Sequence, residues 1–231
     1  VRQKIASITQ MLRLPSVCVL CSQYHRQPFA VCDSCIPLFQ QIGPACRYCA
    51  LPLPDETFLS CGVCLKKKPA IDNTITAYLF EEPLRTLVHE FKYHEALYLV
   101  SFLARLMLNA LPNGALETQC LVPVPLHPKR LRQRGFNQAA ELCKFLARKL
   151  DLPYELNLCK KITHTAAQAS LNKKQRKQNL QHAFQSQLTS YQHITLVDDL
   201  VTTGSTANEL ALVFKKQGVA QVDLWCCARA V

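Results

Sequence analysis

The sequence predicts an α/β fold, a parallel sheet flanked by helices, preceded by a small module held together by metal ions. Two observations carry this reading. After residue 70, strand-like and helix-like stretches alternate, the pattern of an α/β sheet. Before residue 65, eight of the thirteen cysteines fall into four C-x-x-C pairs. A chain of 231 residues has room for one domain of ordinary size and such an annex. The expected divisions are an N-terminal helix over residues 1–17, the metal module and a linker over 18–69, and the α/β domain over 70–231.

The cysteine pairs are Cys18/Cys21, Cys32/Cys35, Cys46/Cys49 and Cys61/Cys64. A two-residue gap lets both sulfurs turn toward one tetrahedral ion, and two such knuckles complete a four-thiolate zinc site. The pattern therefore implies two closed, structural Zn2+ ions. Sequential pairing is simplest, with Cys18, Cys21, Cys32 and Cys35 on one ion and Cys46, Cys49, Cys61 and Cys64 on the other; interleaved pairing stays open. Disulfides would need an oxidising compartment, whereas Arg2, Lys4 and Arg13 interrupt the apolar run that a secretory signal requires. A redox role would want one reactive pair in a thioredoxin-like setting. Residues 18–64 are short of apolar side chains, so metal supplies the fold, at about 10–16 kcal/mol per structural zinc in small peptides. Cys120, Cys143, Cys159, Cys226 and Cys227 sit among apolar neighbours, as small buried hydrophobes do.

Residues 66–69 (KKKP) look like a linker, and residues 73–80 (NTITAYLF) form a strand rich in β-branched and aromatic side chains. Residues 83–111 carry apolar residues at helical spacing, opened by a proline suited to a first turn. Then follow a buried strand over 120–124, a helix over 137–150, a weaker strand over 154–158 and a helix over 173–183. A strand over 194–197, a helix over 206–217 and a strand over 222–227 complete the domain. His89, Glu90 and His94 are spaced H-E-x-x-x-H; the extra residue takes His94 off the face of His89, which excludes the zinc-protease pair. The six glycines form neither an ATP-type P-loop nor a dinucleotide fingerprint. No stretch approaches the roughly 20 apolar residues of a membrane helix, so no membrane insertion and a cytoplasmic location are expected.

The net charge of +11 points toward anionic partners, nucleic acid or phosphorylated small molecules. Its distribution is uneven. No acidic residue lies between Glu155 and Asp198, a gap that holds Lys160, Lys161, Lys173, Lys174, Arg176 and Lys177. Residues 129–149 add a second basic run, with Glu141 as their one acid. A solvated face would account for either run alone.

In residues 194–206 (ITLVDDLVTTGST) an apolar strand ends in two carboxylates, followed by a small-residue loop and a helix. Ligands of open α/β sheets bind at such carboxyl ends. A phosphate over Thr202–Thr206 would meet backbone N–H groups, hydroxyls and the positive end of the helix, and Gly204 lets the backbone approach closely. Asp198 and Asp199 suit two vicinal ribose hydroxyls, directly or through Mg2+. A helix cap, or an acidic metal site of another fold, would use parts of the same string. Upstream, residues 121–138 (LVPVPLHPKRLRQRGFNQ) run from a strand into a proline-stiffened loop, where Arg130, Arg132 and Arg134 could grip a pyrophosphate. The RGFNQ stretch also fits a helix N-terminus beside a buried Phe136.

The thirteen-residue string resembles the phosphoribosyl-pyrophosphate motif of type I phosphoribosyltransferases. On that likeness Asp198 and Asp199 hold the ribose, and Asp198, Asp199, Leu200, Val201, Thr202, Thr203, Gly204, Ser205 and Thr206 together bind ribose and 5-phosphate. Val124, Pro125, Leu126, His127, Arg130 and Arg134 match the pyrophosphate loop, and Lys92, in Phe-Lys-Tyr, is a further candidate for the phosphates. With the four knuckles and with Gln168, Leu171, Arg176, Asn179 and Ala183-Phe184, the chain resembles the ComF/GntX family along nearly its whole length. The resemblance implies a double zinc ribbon before a type I phosphoribosyltransferase-like domain, and a role in using external DNA, including natural transformation. It also implies a flap over the active site carrying Gln168, Lys173 and Arg176, and Mg2+ bound with phosphoribosyl pyrophosphate. Single-stranded DNA and DNA-uptake or recombination proteins are the expected partners. Two alternatives stand beside this reading: an active transferase whose acceptor the motifs do not define, and a ligand-sensing regulator without catalysis.

Overall fold

The computed structural model describes residues 14–111, 116–163 and 183–231. In the first cysteine module, β1 (Ser16–Val17) and β2 (Tyr24–His25) pair antiparallel, followed by a 3-10 turn over Asp33–Leu38. The second module ends in a short helix α1 (Gly62–Lys66), so Lys66 closes a helix and does not begin the linker. Of the helix expected over 1–17, residues 1–13 lie outside the described residues and Ser16–Val17 is strand.

The α/β domain is built on a parallel five-stranded sheet. Its strands are β3 (Asn73–Ile75), β4 (Tyr78–Leu79), β5 (Cys120–Pro123), β8 (His193–Val201) and β9 (Gln221–Arg229). The order is β3-β9-β8-β5, with β4 also pairing on β9, and every pairing is parallel. Period-2 alternation explains why both faces are covered. Leu121, Val197, Trp225 and Cys227 turn to one layer, and Cys120, Val122, Ile194, Leu196, Leu224 and Cys226 to the other. The first layer holds helices α2 (Leu84–Tyr93), α3 (Val100–Asn109) and α5 (Gln138–Leu150); the second holds α6 (Ser205–Lys216). All five cysteines outside the knuckles are buried, as expected of small hydrophobes.

Several elements differ from the sequence pattern. The strand expected over 73–80 is two short ones, β3 and β4, both laid along the longer β9. The helix expected over 83–111 breaks after Tyr93, because Glu95 adopts φ +52°, which a right-handed helix cannot accommodate, and a 3-10 turn (Leu97–Leu99) leads into α3. In place of a strand over 154–158, Tyr154 makes a single bridge to Leu121, and the strand falls later, as β6 (Cys159–Lys161) paired antiparallel with β7 (Phe184–Ser186). The helix expected over 173–183 lies, except for Ala183, outside the described residues. Short helix α4 (Pro128–Arg134) replaces an expected loop.

The first cysteine module is continuous with the main core. Phe39 packs on Phe102 of α3 at 5.3 Å between ring centroids, Arg105 lies over Phe29, and Asp33 pairs with Arg105 at 3.1 Å. The second module is joined through backbone at β3: Thr74 donates its N–H to the Arg47 carbonyl and its hydroxyl to the Tyr48 carbonyl.

Candidate functional site

The eight knuckle cysteines gather into two groups, Cys18/Cys21/Cys32/Cys35 and Cys46/Cys49/Cys61/Cys64, with the sulfurs of each within 4.8 Å of one another. The pairing is sequential, not interleaved. Thiolates bound tetrahedrally at about 2.3 Å to one zinc stand about 3.8 Å apart. Cys18 and Cys35 are 3.9 Å apart, Cys21 and Cys32 3.7 Å, and Cys49 and Cys61 3.8 Å. The donor set and its spacing fit a structural zinc in each group.

The carboxyl ends of β5 and β8 lie side by side, and with the chain that follows each they make the candidate crevice. Their ladder ends at Pro123 opposite Val197, while β8 continues to Val201 along β9, with Asp198 opposite Cys226 and Val201 opposite Arg229. The strand therefore does not stop before the carboxylates. Asp198 and Asp199 lie inside it because β9 is long enough to keep pairing there. Although consecutive strand residues face opposite sides, the two carboxyl groups interact directly at this strand end. Asp199 is buried and pairs with Lys92 of α2 at 3.0 Å. Asp198 accepts a hydrogen bond from the Asp199 N–H at 2.9 Å. Burial, reinforced by the charge of Asp199 and opposed by Lys92, pushes Asp198 up to about 7.

Beyond β8, Thr202 and Thr203 are exposed and Gly204, Ser205 and Thr206 half-buried at the start of α6. Gly204 caps this helix with φ +69°. A Cβ there would come no closer than 3.8 Å to Val201, so within the protein it is the backbone conformation that favours glycine. The Thr203 and Ser205 hydroxyls are hydrogen-bonded at 2.8 Å, and Leu200 packs at the edge of the core.

The opposite wall runs from Val124 to Arg134. Val124 is buried, donating to the Val197 carbonyl and accepting from the Asn137 side chain. Pro125, Leu126 and His127 are half-buried. His127 caps α4 by accepting from the Lys129 N–H, Pro128 occupies the first turn, and Gly135 ends the helix at φ +75°. That proline-to-glycine order makes a helix where an open loop was expected. Arg130 and Arg134 share one face by their four-residue spacing, and Arg132 stands off it. Arg134 is engaged elsewhere, over the Tyr93 ring at 4.9 Å and donating to Gln138 at 3.2 Å. Phe136 packs on Phe91 at 5.7 Å and is half-buried, and Asn137 caps α5, the arrangement of a helix N-terminus. Gln168, Lys173 and Arg176 lie outside the described residues.

No protein-family model matches the chain. It is 34% identical to Competence protein F of Haemophilus influenzae over 223 residues, 92% of this chain and 96% of that protein. It is also 34% identical to the DNA utilization protein YhgH of Salmonella typhimurium, across 96% of this chain and 100% of that protein. The chain belongs to the ComF family. Identity to Competence protein ComFC of Streptococcus pneumoniae is lower, 23% over 86% of this chain and 87% of that protein.

Two residues of this ComF-family chain adjoin the crevice without having been singled out from sequence. Lys161 of β6 is held below its ordinary pKa by burial and by the charge of Arg130, against the opposing charge of Asp198. Its signal was diluted in a long basic run. Arg229 ends β9 behind the loop and had no motif to mark it. A cavity of about 630 Å³ lies between the second cysteine group and α6. It touches the loop at Thr203, Gly204 and Ser205 but neither aspartate, and Tyr48, Lys67, Lys68 and Lys216 help to line it. His89 and His94 are closer than their spacing suggested, with ring centroids 5.9 Å apart, because α2 ends at Tyr93 and His94 leaves the helical path. Together with Glu90 they could reach one cation.

Proposed function

We propose that the crevice binds phosphoribosyl pyrophosphate with Mg2+ and that the protein supports uptake or use of external DNA. The observation that carries the first part is the placement of Asp198 and Asp199 on a strand end that leads through Gly204 into the N-terminus of α6. Ribose hydroxyls fit the carboxylates, and the 5-phosphate fits the Thr202–Thr206 N–H and hydroxyl groups at the helix's positive end. Lys92, Lys161 and Arg130 supply positive charge for the pyrophosphate. Bound Mg2+ would neutralise pyrophosphate charge and help the carboxylates orient the ribose. Lys92 then has two anionic partners to choose between, Asp199 and the ligand.

The second part rests on the names of the relatives, competence and DNA utilization proteins. Charge +11 and the cavity with Lys67, Lys68, Lys216 and Tyr48 suit a single strand, lysines tracking phosphates and the ring stacking on a base. Zinc in both cysteine groups would hold that module in place.

Calorimetric titration with phosphoribosyl pyrophosphate and Mg2+ tests the ligand. Wild-type protein should give saturable heat, and Asp198→Asn or Asp199→Asn should weaken binding at least about 10-fold, the cost of one charged hydrogen-bonding partner. No heat from wild-type protein overturns the proposal. Pyrophosphate release across a panel of bases, lost in Asp199→Asn, would identify a transferase. Single-stranded DNA binding that is absent even at low salt would overturn the DNA contact.

A further inference from the structure

Arg229 is the last residue of β9, opposite Val201, and only 8% of its surface is exposed. Its Nη1 donates to the carbonyls of Val201, Thr202 and Ala230, while Nε is buried without a partner. Among the described residues no carboxylate pairs with this guanidinium. Burying a cation without an ionic partner is costly, and here main-chain carbonyls solvate a positive charge that no carboxylate among the described residues neutralises.

The direction of the hydrogen bonds matters as much as the charge. In a trans peptide the C=O and N–H point opposite ways across one plane. With the Val201 and Thr202 carbonyls both turned to the guanidinium, the N–H groups of Thr202 and Thr203 turn away from it. Successive N–H groups turned to one side make an anion-binding concavity, here just before Gly204 and the N-terminus of α6.

We infer that Arg229 is the fixed cation beneath the phosphate loop: it aims the loop's N–H groups outward and supplies the charge that matches a phosphomonoester dianion. This rests on the crevice binding a sugar phosphate, as proposed above. Arg229 is a positioning residue, acting through the loop backbone and separated from the ligand by it. Its effect belongs to the 5-phosphate end of the ligand and not to the pyrophosphate end, which the Val124 to Arg134 wall would hold.

The test compares ribose 5-phosphate with Mg2+-pyrophosphate by calorimetry on the full chain, using wild type, Arg229→Gln and Arg229→Lys, with folding followed by circular dichroism. Arg229→Gln should weaken ribose 5-phosphate at least about 10-fold and leave pyrophosphate within about two-fold of wild type. Arg229→Lys, which keeps the charge without the planar fork, should recover part of the loss. Should Arg229→Gln fail to fold, the Lys variant still decides, by an intermediate loss confined to ribose 5-phosphate. Unchanged ribose 5-phosphate binding in the variants, or equal loss of both ligands, overturns the inference. Wild-type protein that binds neither phosphoribosyl pyrophosphate nor ribose 5-phosphate defeats the underlying reading itself, an outcome separable from failure at Arg229.

Discussion

The two walls of the crevice are built from different materials. The wall from Asp198 to Thr206 is mostly main chain: a strand end paired to β9, a glycine at φ +69°, and a helix N-terminus. The wall from Val124 to Arg134 works through long side chains on a seven-residue helix, and their direction depends on partners in other elements. A wall of backbone can be tuned by a single buried group such as Arg229, whereas a wall of side chains divides its residues between ligand and scaffold. The largest expected effect that sharpens this contrast is at Arg130. Its charge acts on Lys161, whose pKa it helps to lower. Arg130→Gln should weaken Mg2+-pyrophosphate by about 10- to 100-fold, the range for a charge-assisted hydrogen bond, with ribose 5-phosphate unchanged. Titration calorimetry with each ligand reads the split, and equal losses for both would erase the distinction between the walls.

The next effect is one of pH and belongs to the backbone wall. Asp198 is held at about 7, above its ordinary 3.8, so the folded protein keeps it protonated where an unfolded chain would not. Its contribution to stability is therefore present near pH 4, lost as pH rises toward 7, and level above that. Ligand binding runs the other way, because ribose hydroxyls or Mg2+ need the ionised carboxylate. Affinity for phosphoribosyl pyrophosphate should rise about 10-fold between pH 6 and pH 8, with a proton released on binding near pH 6.5. Titrations in buffers of different ionisation enthalpy measure that proton. An affinity flat from pH 6 to 8 would mean that Asp198 stays out of the binding step.

What the sequence disclosed follows the same division. The cysteine knuckles needed only local geometry, so their spacing alone exposed them, whereas the contiguous Asp-Asp string and Gly204 stood out through their resemblance to a known motif. The parallel sheet was legible because both faces of β5, β8 and β9 are buried and their apolar runs are nearly continuous. The break at Glu95 was hidden, since α2 and α3 each present an apolar face and the pattern runs on through the turn. Lys161 and Arg229 were hidden for a different reason. Lys161 is linked by charge to Arg130 and Asp198, thirty or more positions away, and Arg229 is set beside the loop only by the register that places it opposite Val201.

Arg134 gives the smallest effect and the closest test of how the side-chain wall divides its labour. Its guanidinium lies over Tyr93, donates to the Tyr93 hydroxyl at 3.4 Å and to Gln138 at 3.2 Å, and buried Gln138 in turn donates to the Lys92 carbonyl at 3.3 Å. These contacts tie α4 and α5 to the end of α2, the helix that carries Lys92 to Asp199. Arg134 is thus a strut for the crevice, although its spacing from Arg130 made the two look equivalent. Arg134→Ala removes a partly exposed cation–π contact and a hydrogen bond, about 1 kcal/mol together. For a chain of this size that lowers the melting temperature by roughly 2–4 °C, with pyrophosphate affinity within about two-fold of wild type. Arg134→Lys should restore little, because an ammonium cannot span Tyr93 and Gln138 as the planar fork does. If Arg134→Ala instead lost pyrophosphate as severely as Arg130→Gln while melting like wild type, both arginines would belong to the ligand and the strut would lie elsewhere on α4.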